Sequence, residues 1–352
     1  MTVCILGHNL TSLALSKALI KIGLKVDLIE NKKIKIYPKS RTLGISKSNI
    51  QFFCNEICNI NKLCWKINDI KILGDNDLNK ELVSFTSKDY LFSIIKNHEL
   101  HKNLKDELKR NKKFKEKKTL KESDYNLIIN TDLNHYLTKK YFFKKIEKNY
   151  DAIAYTSILK HKKIKNNQAI QIFTKNGPLA FLPISNTETS LVYSFNGRIK
   201  LSRDEFIELI NKYNKRFKIQ KISEINYFQL KSSNLRSYYN KNILAFGDML
   251  HRIHPLAGQG YNMTLRDVKT LIRIIKSKIE LGLPIDQSIN SEFERKTKSQ
   301  NYLFSKGIDL IYEIFNFERK LNNKLINQTI SFVGKNKKLN KVFKLIADYG
   351  SF

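Results

Sequence analysis

Apolar positions along the chain change rhythm twice. Thr2–Leu6 (TVCIL) is nearly all apolar, as a buried strand would be. After Gly7 the stretch LTSLALSKALIKIG places apolar residues at helical spacing and ends at Gly23. Lys25–Glu30 (KVDLIE) then reads as a second strand finishing in an acid, so the chain opens as a βαβ unit with its first turn at Gly7. Residues 47–65 predict a helix, 87–104 contain another helical stretch, and 125–130 (YNLIIN) predict a buried strand. Between 152 and 195 four short β-like runs follow, at 152–158, 169–173, 179–183 and 190–195. The turn-like pieces NNQ, KNGP and SNTETS separate them, which predicts an antiparallel sheet. A further strand is expected at 243–246 and a helix from about 261 to 281, and the tail from 288 to 352 is mostly helical by pattern. A parallel start, an antiparallel middle and a return to strand–loop–helix imply a nucleotide-binding domain built from separated segments, with a second lobe inserted.

Composition adds limits. With 352 residues and 41% hydrophobic content the chain can bury a core. No run of about 18 apolar residues suggests a membrane span. The start Met1-Thr2-Val3-Cys4 lacks the basic region of a signal peptide, so a cytoplasmic protein is expected. The formal charge of +32 raises nucleic acid as a partner, but lysines are spread along the whole length among Asn and Ile, as an AT-rich coding sequence would give. The one dense run, His101–Lys121, interleaves Glu and Asp and reads as solvated surface; no nucleic-acid partner is expected, and an anionic membrane surface suits the charge as well. Cys4, Cys54, Cys58 and Cys64 form no CxxC pair and read as reduced thiols, with no metal site expected.

Two segments carry candidate chemistry. Gly7-His8-Asn9-Leu10-Thr11-Ser12 aligns with the dinucleotide fingerprint, with Gly7 at the tight turn, Asn9 at the position where bare backbone meets the pyrophosphate, and Ser12 at the helix-packing position. Backbone N–H groups at the helix start would receive phosphate, and Asn9→Gly would be neutral or would tighten binding. Glu30 stands where such folds hydrogen-bond a ribose. The second segment, ILAFGDMLHRIHPLAGQGYNMTLRD, runs from a strand through Gly247-Asp248, Pro255 and Gly258-Gln259-Gly260 into a helix starting near Asn262.

That second segment closely resembles the GD…H…PxxGQGxN…D motif of the FAD-dependent hydroxylases of ubiquinone biosynthesis, relatives of p-hydroxybenzoate hydroxylase. Arg41-Thr42-Leu43-Gly44-Ile45-Ser46 is similar to the family's Arg-containing stretch near the cofactor, and Gly177–Pro183 (GPLAFLP) resembles its substrate-sheet stretch. The resemblance implies an α/β fold, with a doubly wound, Rossmann-like FAD-binding domain at 1–65, 113–150 and 236–285. An antiparallel β-sheet substrate domain at 66–112 and 151–235 would be inserted in it, and a helical C-terminal region would span 286–352. It also implies that Asp248 accepts hydrogen bonds from the ribityl chain. Gly247, Pro255, Gly258, Gln259 and Gly260 would pass the flavin as bare loop, and Asn262 would add a side-chain bond there. His251 and His254 could line this site or serve as structural hydrogen-bonding groups. No catalytic base is assigned.

Departures from the family pattern bear on activity. The middle motif, an Asp-Gly pair followed by Ser and Arg, falls at Asn130–Lys139, where Asp132 is kept, Leu133 replaces the Gly and Lys139 stands for the Arg. The region 74–124 is also shorter than in the family. The function implied is hydroxylation of a polyprenylated phenol with O2 and FAD, with NAD(P)H as a cosubstrate whose motif is altered. The alternative is a catalytically impaired accessory protein of a quinone-synthesis complex. A polyprenylated substrate suggests peripheral attachment to an anionic membrane, for which Leu339, Val342, Phe343, Leu345 and Ile346, set among lysines, form a candidate interfacial helix.

Overall fold

A computed structural model describes residues 1–30, 38–75, 81–255 and 258–321, without the side chains of 311 and 314–321. The candidate interfacial helix at 335–352 lies outside the described residues.

The chain forms an α/β fold whose sheets separate the parallel and antiparallel rhythms of the sequence. A six-stranded sheet runs in the order Tyr239–Asn240, Ile243–Ala245, Ile128–Asn130, Thr2–Leu6, Lys25–Ile29, Phe114–Lys117. All its pairings are parallel except that of the short Tyr239–Asn240 hairpin strand. Its central strands carry uninterrupted apolar runs because both faces are covered. Val3, Ile5, Leu28, Ile128 and Leu244 are buried with helix residues Leu13, Leu19, Val268 and Leu271 in one large core.

The second sheet is mainly antiparallel. Its long strand Lys145–His161 pairs with Glu188–Asn196 on one side and Asn226–Leu235 on the other. Gly177–Pro183 and Gln168–Thr174 follow, with Asp69–Gly74 and Glu81–Thr86 at the far edge. Ile219–Ile222 and His251–Arg252 also pair in this second sheet, and a small third sheet consists of Thr42–Ser46, Phe92–Lys96 and Trp65–Ile67.

Several elements differ from the sequence expectation. The helix expected at 47–65 ends at Glu56, and Trp65 opens a strand. Phe114–Lys117, inside the run read as solvated surface, is the edge strand of the parallel sheet; its charged side chains are exposed and blunt that edge. Helix Asn97–Lys109, assigned from sequence to the inserted lobe, instead packs in the parallel sheet's core. Leu100, Leu104 and Leu108, four residues apart, lie on one face and are fully buried there. Helix Ser288–Leu321 runs on from the last segment and covers the junction of both sheets through Phe293, Ser305 and Tyr312.

Candidate functional site: a cofactor cradle at the strand ends

Thr2–Leu6, Ile128–Asn130 and Ile243–Ala245 are parallel neighbours, so the loops leaving their carboxyl ends converge. In open α/β sheets such a cluster of loops is where a nucleotide binds. Gly7 has φ +106°, and a Cβ there would lie 2.7 Å from Thr131 Oγ1 and 3.3 Å from Asp132 Cβ. Gly247 has φ +68°, and a Cβ there would meet Thr11 Cγ2 at 2.8 Å. Both glycines are required twice, by their left-handed backbone and by the close approach of a neighbouring loop. The fingerprint turn, the Asp132 loop and the Gly247-Asp248 loop thus meet at one place.

Asn9 takes a role that the fingerprint alignment did not show. It caps helix Leu10–Lys21: the Ser12 N–H donates to Asn9 Oδ1 at 3.0 Å and the Asn9 N–H donates to Ser12 Oγ at 2.9 Å. The Asn9 Nδ2 also donates to the Thr131 carbonyl at 3.0 Å and to Thr131 Oγ1 at 3.1 Å. Asn9 and Ser12 are therefore a capping box stapled to the next strand end, and the Ser12 N–H is already engaged. The first-turn N–H groups of Leu10 and Thr11 have no helical acceptor and are left to face an anion. The expectation for Asn9→Gly changes accordingly. Glycine caps almost as well, but the two bonds to Thr131 are lost, so the substitution is expected to lower stability by about 1–2 kcal/mol. Its effect would appear as a lower melting temperature; an unchanged or raised one would contradict the staple.

Glu30 ends Lys25–Ile29 with its carboxylate 4.0 Å from His8 Nδ1, while His8 Nε2 lies 3.8 Å from Glu116. Burial holds the His8 pKa below its usual value despite these two carboxylates. Arg41 is exposed and leads into Thr42–Ser46; among the described residues its guanidinium makes no ion pair. Asp132 sits in a turn closed by the Asn134 N–H, which donates to Asp132 Oδ1 at 2.9 Å. Leu133 is 38% exposed.

The second motif folds as strand, short 3-10 turn Gly247–Met249, two-residue strand His251–Arg252 and, beyond Pro255, helix Gln259–Glu280. Asp248 is exposed at the mouth and makes no hydrogen bond or ion pair among the described residues. Gly258 has φ +64°, its N–H donates to the Pro255 carbonyl at 3.2 Å, and a Cβ on it would sit 3.6–3.8 Å from the backbone of Gly44. Gly258 is thus laid against the strand that follows Arg41.

Asn262 fastens that contact. Its Oδ1 accepts from the Ser46 N–H and from Asn49 Nδ2, both at 2.9 Å, and its Nδ2 donates to the carbonyls of Gly44 at 2.9 Å and Gly258 at 3.3 Å. All four hydrogen-bonding positions of the carboxamide are filled by protein. The expected side-chain bond from Asn262 to a cofactor is therefore replaced by a positioning role. Gln259 behaves oppositely: it is buried, and its Oε1 has no partner among the described residues. With the first-turn N–H groups of Gln259–Tyr261, it leaves polar capacity at the helix start that a flavin's polar edge would fit.

The two motif histidines divide. His251 Nε2 lies 2.6 Å from Asp267 Oδ2, both fully buried, and Asn301 Nδ2 donates to Asp267 Oδ1 at 2.9 Å. His254 is buried with neither ring nitrogen hydrogen-bonded among the described residues. Its ring stacks on Tyr312 at 4.2 Å and meets the edge of Tyr150 at 4.9 Å. Sequence spacing alone could not separate these roles, since Tyr150 and Tyr312, which enclose His254, lie in a strand and a helix far along the chain.

A family model described as an FAD binding domain matches residues 146–280, the stretch containing Asp248 and the Gly258–Asn262 turn. The 3-demethoxyubiquinol 3-hydroxylase of Escherichia coli is 31% identical over 156 residues, 41% of this chain and 39% of that protein. The chain is similar to FAD-dependent hydroxylases of ubiquinone biosynthesis. The mitochondrial ubiquinone biosynthesis monooxygenase of Danio rerio, 26% identical over 209 residues, covers 47% of this chain and 43% of its own length. The matches thus span less than half of either relative. The likeness in fold extends over the whole chain: the p-nitrophenol 4-monooxygenase of Pseudomonas putida superposes with TM-score 0.80 at 11% identity, covering 98% of this chain and 97% of its own. Klebsiella pneumoniae HpxO, solved with FAD and uric acid, gives 0.76 at 12% identity over 99% and 97%. The match to an FAD binding domain points to FAD as the cofactor, and the cradle described above fits it.

Proposed function

We propose that this chain is an FAD-dependent monooxygenase that hydroxylates the aromatic ring of a polyprenylated phenol in ubiquinone biosynthesis. Overall, one oxygen atom of O2 enters the ring and the other leaves as water, and NAD(P)H supplies the two electrons. The observation that carries this reading is the Gly258–Asn262 turn, held against Gly44 beside an unpartnered Asp248 at the meeting point of three strand ends. When bound, FAD supplies the activation of O2 and its delivery to an electron-rich ring. The protein's part is placement. Asp248 would accept hydrogen bonds from ribityl hydroxyls, and Gly7 and the N–H groups of Leu10 and Thr11 would take the diphosphate. Glu30 would take a ribose, and the start of helix Gln259–Glu280 would stabilise negative charge on the flavin ring. Leu133 and Lys139 in the altered middle motif would make nicotinamide-dependent reduction slower than reduction by dithionite.

The purified protein is expected to be yellow, or to take up FAD to near one per chain. Asp248→Ala should weaken FAD about ten- to a hundredfold with little change in folding, because an exposed charged acceptor is lost. Colourless protein that cannot be reconstituted would defeat the proposal, and full affinity in Asp248→Ala would remove that residue from the site.

A further inference from the structure

The segment leading out of the cofactor cradle presents an exposed face that is both apolar and basic. Leu133, Tyr136, Phe143 and Ile146 are 38%, 54%, 60% and 39% exposed, large apolar groups within one short stretch. Helix Tyr136–Tyr141 turns Leu137 into the core and leaves Tyr136, Lys139 and Lys140 outward, and Phe143 continues that spacing of three and four residues. Between Asp132 and Glu147 the chain carries four lysines and no acid. Lys145 pairs with Glu147 at 2.9 Å, whereas Lys139, Lys140 and Lys144 have no ion pair among the described residues. The strand that follows is paired on one side only from Lys145 to Asn149, because its other neighbour joins at Ala152. Aromatic and aliphatic side chains among unpaired lysines are the composition of an interfacial anchor, in which apolar groups enter the headgroup boundary and cations meet lipid charge.

We propose that residues 133–146 form a docking surface for an anionic lipid bilayer. The inference rests on the proposed function for its purpose, since the surface follows Asp132, beside Gly7 of the cradle, and would hold the cofactor site at the membrane in which a polyprenylated phenol is dissolved. Nucleic acid would meet the lysines equally well. Leu133 and Ile146, however, offer nothing to a phosphate backbone or to base stacking, which favours lipid.

The test uses the full chain loaded with FAD. It is sedimented with vesicles of phosphatidylcholine mixed with phosphatidylglycerol, and with phosphatidylcholine alone. Binding to the anionic vesicles, reduced by salt, is expected, with little to the neutral ones. Lys139→Gln, Lys140→Gln and Lys144→Gln together should weaken it roughly a hundredfold, at about fivefold per lysine. Tyr136→Ser with Phe143→Ser should weaken it at least about tenfold. All these side chains are exposed, so flavin content and melting temperature serve as folding controls. The proposal is overturned if the protein ignores anionic vesicles, or if both variants bind as well as the original. It is also overturned if only removal of 335–352 abolishes binding, or if the lysines govern an RNA mobility shift while the serine variants bind vesicles unchanged. Failure to hold FAD would instead count against the proposed function and leave the docking result standing.

Discussion

Asp267→Ala is expected to lower stability by about 3–5 kcal/mol, a large part of what holds a protein of this size folded. Asp267 is fully buried and accepts from two donors on separate elements, His251 beside the Gly247-Asp248 turn and Asn301 on helix Ser288–Leu321. Alanine would leave both donors buried without an acceptor, each at a cost of about 1–3 kcal/mol, beside a new cavity. Because Asp267 stands two turns along the helix that begins at Gln259, the loosening would reach the cofactor cradle. FAD should therefore bind more weakly to the variant, and excess FAD should restore part of the lost melting temperature. Asp267→Asn keeps one acceptor oxygen and should fall between the two proteins. Thermal unfolding followed by circular dichroism measures this, and a melting curve matching that of the original protein would show that the triad carries no stability.

What the sequence made legible and what it hid follow from the range of the contacts. The opening βαβ unit and the antiparallel middle were readable because apolar spacing is a local signal. The Asp248 and Gly258–Asn262 positions were readable because several unusual residue types recur at fixed separations. Hidden were the strands Thr42–Ser46, Asp69–Gly74 and Phe92–Lys96, which are short and interrupted by lysine or glycine. Their pairing is decided by partners about 50 to 100 residues away. Asn9 is the sharpest instance. Read along the chain it is a poor substitute for a glycine; in space it ties the first turn to Thr131, 122 residues on. Asn262 shows the converse, since its position was legible but its four protein partners were not, so a cofactor contact was expected where a structural clamp stands.

Stability is expected to fall by about 2 kcal/mol between pH 7 and pH 5 through His254 alone. Its ring is enclosed by Tyr150 and Tyr312, and burial, aided by the positive charge of Lys148, lowers its pKa from 6.5 to about 3. Above pH 6.5 the ring is neutral in both folded and unfolded chains and contributes no pH dependence. Below it the unfolded chain takes a proton that the folded chain refuses, so stability declines by about 1.4 kcal/mol for each pH unit until the folded value near pH 3 is reached. His8, His98, His101 and His135 are also held low, chiefly by burial, and shift the balance in the same direction. His254→Phe preserves the stack on Tyr312 and cannot be protonated. It should flatten the fall in melting temperature between pH 7 and pH 5 without abolishing it, a window in which most carboxylates stay ionised. Since His254 directly precedes Pro255 of the cofactor loop, the phenylalanine variant should also retain FAD to lower pH than the original protein. An unchanged slope in His254→Phe would show that the enclosed imidazole is not what acid acts upon.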